Sequence, residues 1–360
     1  MPPRDVAAPY VNSRHQPPPD TSLNHLLAHG YFRHAAERAA DELTSGTISG
    51  FDHETILPLY HIRLSCLMLT SRPELAAQEA RLLIEWVNRN SAPSRPQQRD
   101  PQGDAQIVPW DLRLLLHHLQ TLASGDGRRG IMGLYALASE CRACVSAARR
   151  RDNDSVAAVW ATRLADLGVR VAAELVDMGE FNAASRHLAT LVTPPSAKNA
   201  DDDAATTAAA ITIRKALLYL RIGDTAAAER SISVLPTSST HVETTKATLT
   251  ALSQLANGNY PAATTSLSAL HDQHPDNELV STNLAVCLLY SGHADRALDL
   301  LSALANHRPS PFPGLLFNLA TMYELRGERA GERKLALAES VAEMGPSERG
   351  WERTGADFKL

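Results

Sequence analysis

Apolar residues recur along this chain at helical spacing. Clear examples lie in residues 115–122 and 164–175, where apolar side chains follow the i, i+3, i+4, i+7 pattern of an amphipathic helix. Alternation of apolar and polar residues with a period of two is absent, and β-branched residues do not cluster, as they do in strands. The pattern therefore predicts an all-α protein.

Polar segments rich in proline or glycine interrupt the helical pattern. Residues 1–20 end in Pro17-Pro18-Pro19-Asp20, and the segments 91–109 and 193–207 have the composition of loops. The predicted organisation is a flexible tail at 1–20, degenerate helical repeats at 21–155, tetratricopeptide repeats with a capping helix at 156–345, and a C-terminal tail at 346–360.

Small residues and prolines recur at a fixed interval in the C-terminal half. Three pairs are each 34 residues apart: Gly258 and Gly292, Ala263 and Ala297, Pro275 and Pro309. Thirty-four residues is the length of a tetratricopeptide repeat, which folds as helix–turn–helix. In such a unit, glycine ends the first helix with a positive φ. The alanine lets the two helices approach closely, and the proline stops the second helix.

A second set of repeat positions extends the pattern by one unit. Asn283-Leu284-Ala285 reappears 35 residues later as Asn318-Leu319-Ala320, and Tyr323 and Gly327 take the aromatic and turn positions. Stacked repeats share one continuous core and form a concave surface. The sequence predicts a tetratricopeptide-type solenoid, a right-handed superhelix of antiparallel helix pairs, capped by a helix over 330–343.

Composition disfavours two classes of partner. Across 360 residues, 35 Lys and Arg against 40 Asp and Glu give a net charge of −5, and aromatic residues make up 5%. Nucleic-acid binders usually carry a basic surface, so we expect no nucleic-acid partner.

No apolar run approaches the ~20 residues that cross a bilayer, and the start lacks the apolar core of a signal peptide. With four cysteines, too few for a disulfide framework, we expect a cytoplasmic protein.

Two local motifs suggest cofactor or metal chemistry but lack the required context. Gly125, Gly127 and Gly130 form a G-x-G-x-x-G, yet they follow a helical segment instead of the strand that a dinucleotide site needs. Cys141 and Cys144 form a C-x-x-C without a second pair of zinc ligands. We expect a helix–helix turn and two cysteines packed as small apolar side chains.

Histidine and arginine clusters also have simpler interpretations. His271 and His274 lie one helical turn apart, but two ligands make no structural zinc site, and a solvated helix end is favoured. Arg149-Arg150-Arg151 suits a helix C-terminus; contact with an acidic partner or a membrane surface is the alternative. We expect no catalytic residue, no metal and no cofactor, although an enzyme built around a cavity between helix pairs stays open.

The groove of a repeat array is a possible peptide site. Asn283 and Asn318 occupy equivalent positions and could face it, as in repeats that clamp a C-terminal carboxylate. No lysine or arginine accompanies them on those helices, so asparagine bonding to the backbone between repeats is the simpler interpretation. A peptide-binding co-chaperone or adaptor is therefore the alternative function.

The C-terminal sequence resembles the subunit 12 family of the trafficking protein particle (TRAPP) complex. The resemblance is strongest in residues 275–342, through the segments Asn283–Gly292, Leu315–Leu325 and Glu332–Ala342, and it is weaker around Trp110 and Trp160. The string Phe-Asn-Leu-Ala-Thr-Met-Tyr-Glu-Leu ending at Leu325 is not dictated by the repeat.

This resemblance implies a non-catalytic scaffold of a TRAPP III-type complex. The complex activates a Rab GTPase in traffic between the endoplasmic reticulum and the Golgi and in autophagy, and the exchange chemistry belongs to its small core subunits. The implied neighbours are the large subunits 8, 11 and 13, with peripheral association at Golgi membranes. Animal members carry a long polar N-terminal extension, of which this chain has about twenty residues, so functions of that extension are not carried over.

Overall fold

A computed structural model describes residues 6–90, 108–191, 202–235, 240–306, 311–327 and 329–360. Apart from one isolated antiparallel bridge between Val6 and Thr354, these residues contain no β-pairing. The prediction of an all-α helical-repeat fold is confirmed.

Short turns connect most consecutive helices. The helices are α1 (Ala8–Val11), α2 (Leu23–Ala28), α3 (Phe32–Thr44), α4 (His53–Leu69), α5 (Pro73–Asn90), α6 (Trp110–Ser124), α7 (Gly127–Arg150), α8 (Asp154–Asp177), α9 (Phe181–Thr190), α10 (Asp202–Ile222), α11 (Thr225–Ser233), α12 (Thr240–Ala256), α13 (Tyr260–Gln273), α14 (Glu278–Tyr290), α15 (Ala294–Ala305), α16 (Pro313–Leu325), α17 (Ala330–Ala342) and a 3₁₀ helix (Gly355–Phe358).

The chain divides into two compact units at places that differ from the predicted boundaries. Unit 1 combines residues 1–72 with 260–360, and unit 2 comprises 73–259. The predicted boundary after residue 155 falls inside unit 2, at the start of α8. There, α7 and α8 pack against each other through a core that includes Cys141 and Trp160, because both helices bury one apolar face.

The loops predicted at 91–109 and 193–207 lie mainly outside the described residues. The described chain resumes at Val108 and enters α6 at Trp110, while α10 already begins at Asp202. The second predicted loop is therefore too long at its C-terminal end.

The repeat residues take positions that suit a helix–turn–helix unit. Gly258, Gly292 and Gly327 have φ of +73°, +81° and +108°, values that favour glycine. Several others are buried at helix contacts: Ala263, Leu284, Ala285, Ala297 and Leu319. Pro275 lies in the turn between α13 and α14, Asn318 and Tyr323 are partly buried, and Pro309 lies outside the described residues.

Replacing Ala297 with leucine should lower the free energy of unfolding by about 1–3 kcal/mol through overpacking. Ala297 is fully buried on α15, which packs against α14 and α16. Chemical denaturation measures the loss. Ala303→Leu, an exposed alanine on the same helix, is the matched control and should change stability little. Equal transitions for the two variants would contradict the repeat register.

The predicted flexible tails are instead part of the core of unit 1. In the N-terminal segment, Tyr10 of α1 is fully buried. Its ring lies 5.8 Å from the Trp351 ring and 6.5 Å from the Phe358 ring, centroid to centroid. The prediction of tails at 1–20 and 346–360 is therefore wrong for the described residues, because these aromatic side chains bury one another.

Polar contacts complete the closure of unit 1. Arg33 donates through Nε and Nη2 to the carboxylate of Glu352, with a shortest distance of 2.7 Å. The Ser13 hydroxyl donates to the carbonyl of Ala342, and His15 Nε2 lies 3.1 Å from the carbonyl of Glu343. The side chains of residues 13 and 15 thus bond to carbonyls at the end of α17 that the helix leaves unpaired. The predicted capping helix is therefore itself covered by the N-terminal segment.

Candidate interaction surface

Helix α14 carries an open stripe, defined as Leu279, Asn283, Val286 and Tyr290. These residues are spaced by four, three and four positions, so they share one face of the helix. Leu279 is 59% exposed and Tyr290 is 67% exposed. A helix that is apolar all round is normally buried on every side, so an uncovered apolar face is typical of a site for a partner.

Neighbouring contacts fix the two ends of the open stripe. Tyr290 stacks on Tyr260 of α13, with ring centroids 5.3 Å apart and planes 10° from parallel. At the other end, Glu278 accepts a 2.6 Å hydrogen bond from Arg349. The stripe therefore has an aromatic end held by stacking, and an ion pair lies beside its other end.

Asn283 lies on the open stripe, but its amide nitrogen already makes one hydrogen bond. Asn283 Nδ2 donates to the carbonyl of Leu279 on the same helix, at 2.8 Å. This bond differs from the expected one between repeats. It also lowers the capacity of the Asn283 amide to donate to a peptide carboxylate in the groove.

The C-terminal segment covers the counterpart of this face on α16. Thr321 lies 35 residues after Val286, and its hydroxyl accepts a hydrogen bond from Lys359 Nζ at 3.3 Å. The same ammonium group lies 5.2 Å from the centroid of the Phe317 ring. The chain's own last residues therefore occupy part of the repeat surface on which a peptide would lie.

The lysines near this surface are already paired with a carboxylate. Lys334 Nζ donates to Glu324 at 2.7 Å and to the carbonyl of Lys359 at 2.9 Å, and Lys359 pairs with the other oxygen of Glu324. Hydrogen bonds from Lys334 and Lys359 lower the pKa of the Glu324 carboxyl. A clamp for a peptide carboxylate needs free cations, which Lys334 and Lys359 do not supply.

The glycine and cysteine motifs have structural positions. Gly125 follows α6 with φ of +61°, and α7 begins two residues later, so the glycines form a helix–helix turn. Cys141 is buried in the core between α7 and α8, and burial raises the pKa of its thiol to about 12. A thiol with so high a pKa is a poor nucleophile at neutral pH.

The two histidines do not converge on a common site. His271 Nδ1 shares a 2.8 Å hydrogen bond with the hydroxyl of the buried Ser281, linking α13 to α14, whereas His274 lies exposed one residue past α13. His271 therefore links two helices instead of lying at a solvated helix end. Within the described ranges, no three His, Cys, Asp or Glu side chains come together as a metal site.

A cavity of about 300 Å³ lies among α9, α10 and α11 in unit 2, and its lining includes Lys215 and Arg230. Lys215 Nζ donates to the carbonyl of Leu191 at the end of α9, at 3.1 Å, and burial lowers the pKa of Lys215. The hydroxyls of Thr212 and Ser231 donate to carbonyls of their own helices. These polar groups stabilise helix backbones and do not form an acid–base pair.

Residues 254–313 match the tetratricopeptide repeat family. This range spans α13, α14 and α15, and so includes the open stripe. A crystal structure of a tetratricopeptide repeat protein from Parabacteroides merdae aligns with 64% of this chain and 91% of that protein, at 16% sequence identity and a TM-score of 0.38.

Part of the chain is similar to subunits of a trafficking complex. Trafficking protein particle complex subunit 12 from Homo sapiens is 37% identical over 90 residues, and the mouse protein is 36% identical over the same length. The match covers 24% of this chain, but only 12% of the human protein and 11% of the mouse protein.

The fold and these similarities together identify a helical-repeat protein, part of which is similar to a TRAPP subunit. No helix in the described part of the chain is long and apolar enough to cross a membrane. Sequence reasoning did not single out Leu279, Tyr290 or Lys359 as surface residues of the repeats. The available signal was the apolar composition of α14 on all its faces, which implies that something covers each face.

Proposed function

We propose that this chain is a scaffold subunit of a TRAPP III-like vesicle-tethering complex that activates a Rab GTPase. The supporting observation is its 37% identity over 90 residues to subunit 12 of the human complex, together with the exposed apolar side chains of the open stripe on α14. The large subunits 8, 11 and 13 are the proposed neighbours. The proposed location is cytoplasmic, peripheral at Golgi and ER–Golgi membranes, with roles in ER-to-Golgi traffic and autophagy.

The proposed mechanism is rigid docking without chemistry. A repeat stack presents fixed side chains, and a few buried anchors usually dominate the affinity of such an interface. Leu279 and Tyr290 are the proposed anchors on unit 1, because they are large, apolar and exposed. Stacking on Tyr260 fixes the Tyr290 ring before binding, which reduces the entropy lost on association.

Affinity purification of the tagged chain from its own cells, with mass spectrometry of the bound proteins, tests this function. Recovery of TRAPP subunits would support it, and recovery of chaperones alone, or of nothing, would refute it. The co-chaperone alternative has a separate test, which is titration with a peptide carrying a chaperone C-terminus. No binding is expected, because Lys334 and Lys359 are already ion-paired with Glu324 and are not available to a peptide carboxylate.

Replacing Leu279 and Tyr290 together with alanine should reduce the recovery of TRAPP subunits at least about tenfold, as loss of central anchors does. The fold should persist, because both side chains are largely exposed. Thermal unfolding checks that the variant is folded. The control is the double variant Leu82→Ala, Met132→Ala in unit 2, where the side chains are 72% and 70% exposed. Unchanged recovery from the first variant would exclude the open stripe as the docking face.

A further inference from the structure

Two tryptophans in unit 2 hold one arginine in a fixed position. Trp110 opens α6 and Trp160 lies on α8, and their rings meet edge to face, with centroids 5.8 Å apart and planes at 83°. The guanidinium carbon of Arg163 lies 5.1 Å from the Trp110 centroid and 4.5 Å from the Trp160 centroid. Both distances are within the ~6 Å range of cation–π attraction. The rings contact the guanidinium without accepting its N–H groups in conventional hydrogen bonds.

A neighbouring arginine, in contrast, is paired with a carboxylate. Arg113 also lies against Trp110, at 5.5 Å, but it donates to both oxygens of Glu140, at 3.1 and 2.7 Å. The side chains of Arg113 and Glu140 are only 12% and 14% exposed. Glu140 is therefore engaged in a two-point ion pair with Arg113.

Arg163 has no such acidic partner among the residues that the structure describes. Asp166, three positions further along α8, pairs instead with Arg170 and Arg214. Of the two guanidinium groups that lie against Trp110, Arg113 is therefore paired with a carboxylate, and Arg163 has no such pair within the described ranges. A partly buried cation without a counter-charge is costly relative to a paired one.

The chemistry of the guanidinium defines what would complete the cluster. Arginine presents five N–H donors in a planar fork that matches the two oxygens of a carboxylate. Stacking on aromatic rings fixes the fork in advance, and tryptophan and arginine are enriched among the residues that dominate binding at interfaces. We propose that Arg163, positioned by Trp110 and Trp160, is a docking point for an aspartate or glutamate side chain of a partner protein.

Residue-resolved NMR on the full chain tests this directly, independently of any trafficking complex. The probe is acetyl-hexaglutamate amide, and acetyl-hexaglutamine amide is the neutral control. We expect saturable shifts of the Arg163 Nε–H and of both indole N–H signals with the acidic peptide alone. Arg163→Gln should weaken binding about tenfold. Arg163→Lys should also weaken it, because lysine keeps the charge but lacks the fork.

Arg128→Gln is the matched control, because Arg128 is exposed at the start of α7 and its removal changes net charge equally. The Arg128→Gln variant should bind acetyl-hexaglutamate amide with the same affinity as the wild-type chain. The proposal is overturned if hexaglutamine produces the same shifts, if no saturable shift occurs at Arg163, or if Arg163→Gln binds hexaglutamate as tightly as the wild type. Because the wild-type titration reports on Arg163 itself, a folding defect in one variant leaves the test decisive.

Discussion

Replacing Trp351 with alanine is expected to lower the free energy of unfolding of unit 1 by about 3–5 kcal/mol, the usual cost of emptying a large buried aromatic site. Trp351 is fully buried, and its ring centroid lies 5.8 Å from that of Tyr10 and 5.2 Å from that of Tyr31. The substitution therefore removes an aromatic contact between the C-terminal segment and the N-terminal helices. Chemical denaturation followed by circular dichroism measures the loss.

Two further variants separate this packing effect from simpler causes. Phe51→Ala removes an aromatic ring that is 91% exposed and should change stability by no more than about 0.5 kcal/mol. Trp351→Phe should cost less than the alanine variant, because Trp351 Nε1 is buried without a hydrogen-bond partner among the described residues. An unchanged transition for Trp351→Ala would mean that the two ends of the chain do not pack together.

This closure gives unit 1 a kind of stability that a simple repeat array lacks. In a linear array each repeat contacts only its neighbours, and stability is close to a sum of local terms. In unit 1, residues separated by more than 300 positions share a core, as the bonds from Arg33 to Glu352 and from Ser13 to Ala342 show. A destabilising substitution near residue 351 should therefore also destabilise the N-terminal helices, as well as α16 and α17.

The C-terminal repeats could be predicted because each one repeats a local steric requirement. The close approach of two helices needs a small residue, such as Ala297, and the turn at Gly292 needs a positive φ. Such requirements recur with the period of the fold, so a single sequence displays them. The open stripe follows the same helical spacing, but the pattern does not identify which face of α14 lacks a cover.

The packed ends could not be predicted in the same way. Tyr10, Trp351 and Phe358 are single aromatic residues in short segments without periodicity, and their partners lie far away along the chain. The prolines at 17–19 predict a flexible segment, yet Tyr31 donates its hydroxyl to the carbonyl of His15 at 2.8 Å. The cluster around Arg163 was missed for the same reason, since Trp110 and Trp160 lie on different helices fifty residues apart.

Replacing Gly30 with alanine is expected to destabilise unit 1 by about 2–5 kcal/mol, because two costs combine. Gly30 has a φ of +70°, a conformation that costs an L-residue ~1–2 kcal/mol. A Cβ atom there would lie 2.2 Å from the carbonyl oxygen of Ser347 and 2.6 Å from Gly350 Cα. Both neighbours are backbone atoms, so the clash with the added Cβ is relieved only if the C-terminal segment moves. This adds an overpacking cost of about 1–3 kcal/mol.

Gly46→Ala is the control that carries the conformational cost without the overpacking cost. Gly46 has nearly the same φ, +72°, but a Cβ atom there would meet nothing within 4 Å. It should therefore show only the conformational cost of ~1–2 kcal/mol. The difference between the two variants measures how tightly the C-terminal segment lies against the turn before α3, where Gly30 also accepts a 3.1 Å hydrogen bond from the Trp351 amide. Equal losses in the two variants would show that the segment yields without cost and that the closure contributes little to stability.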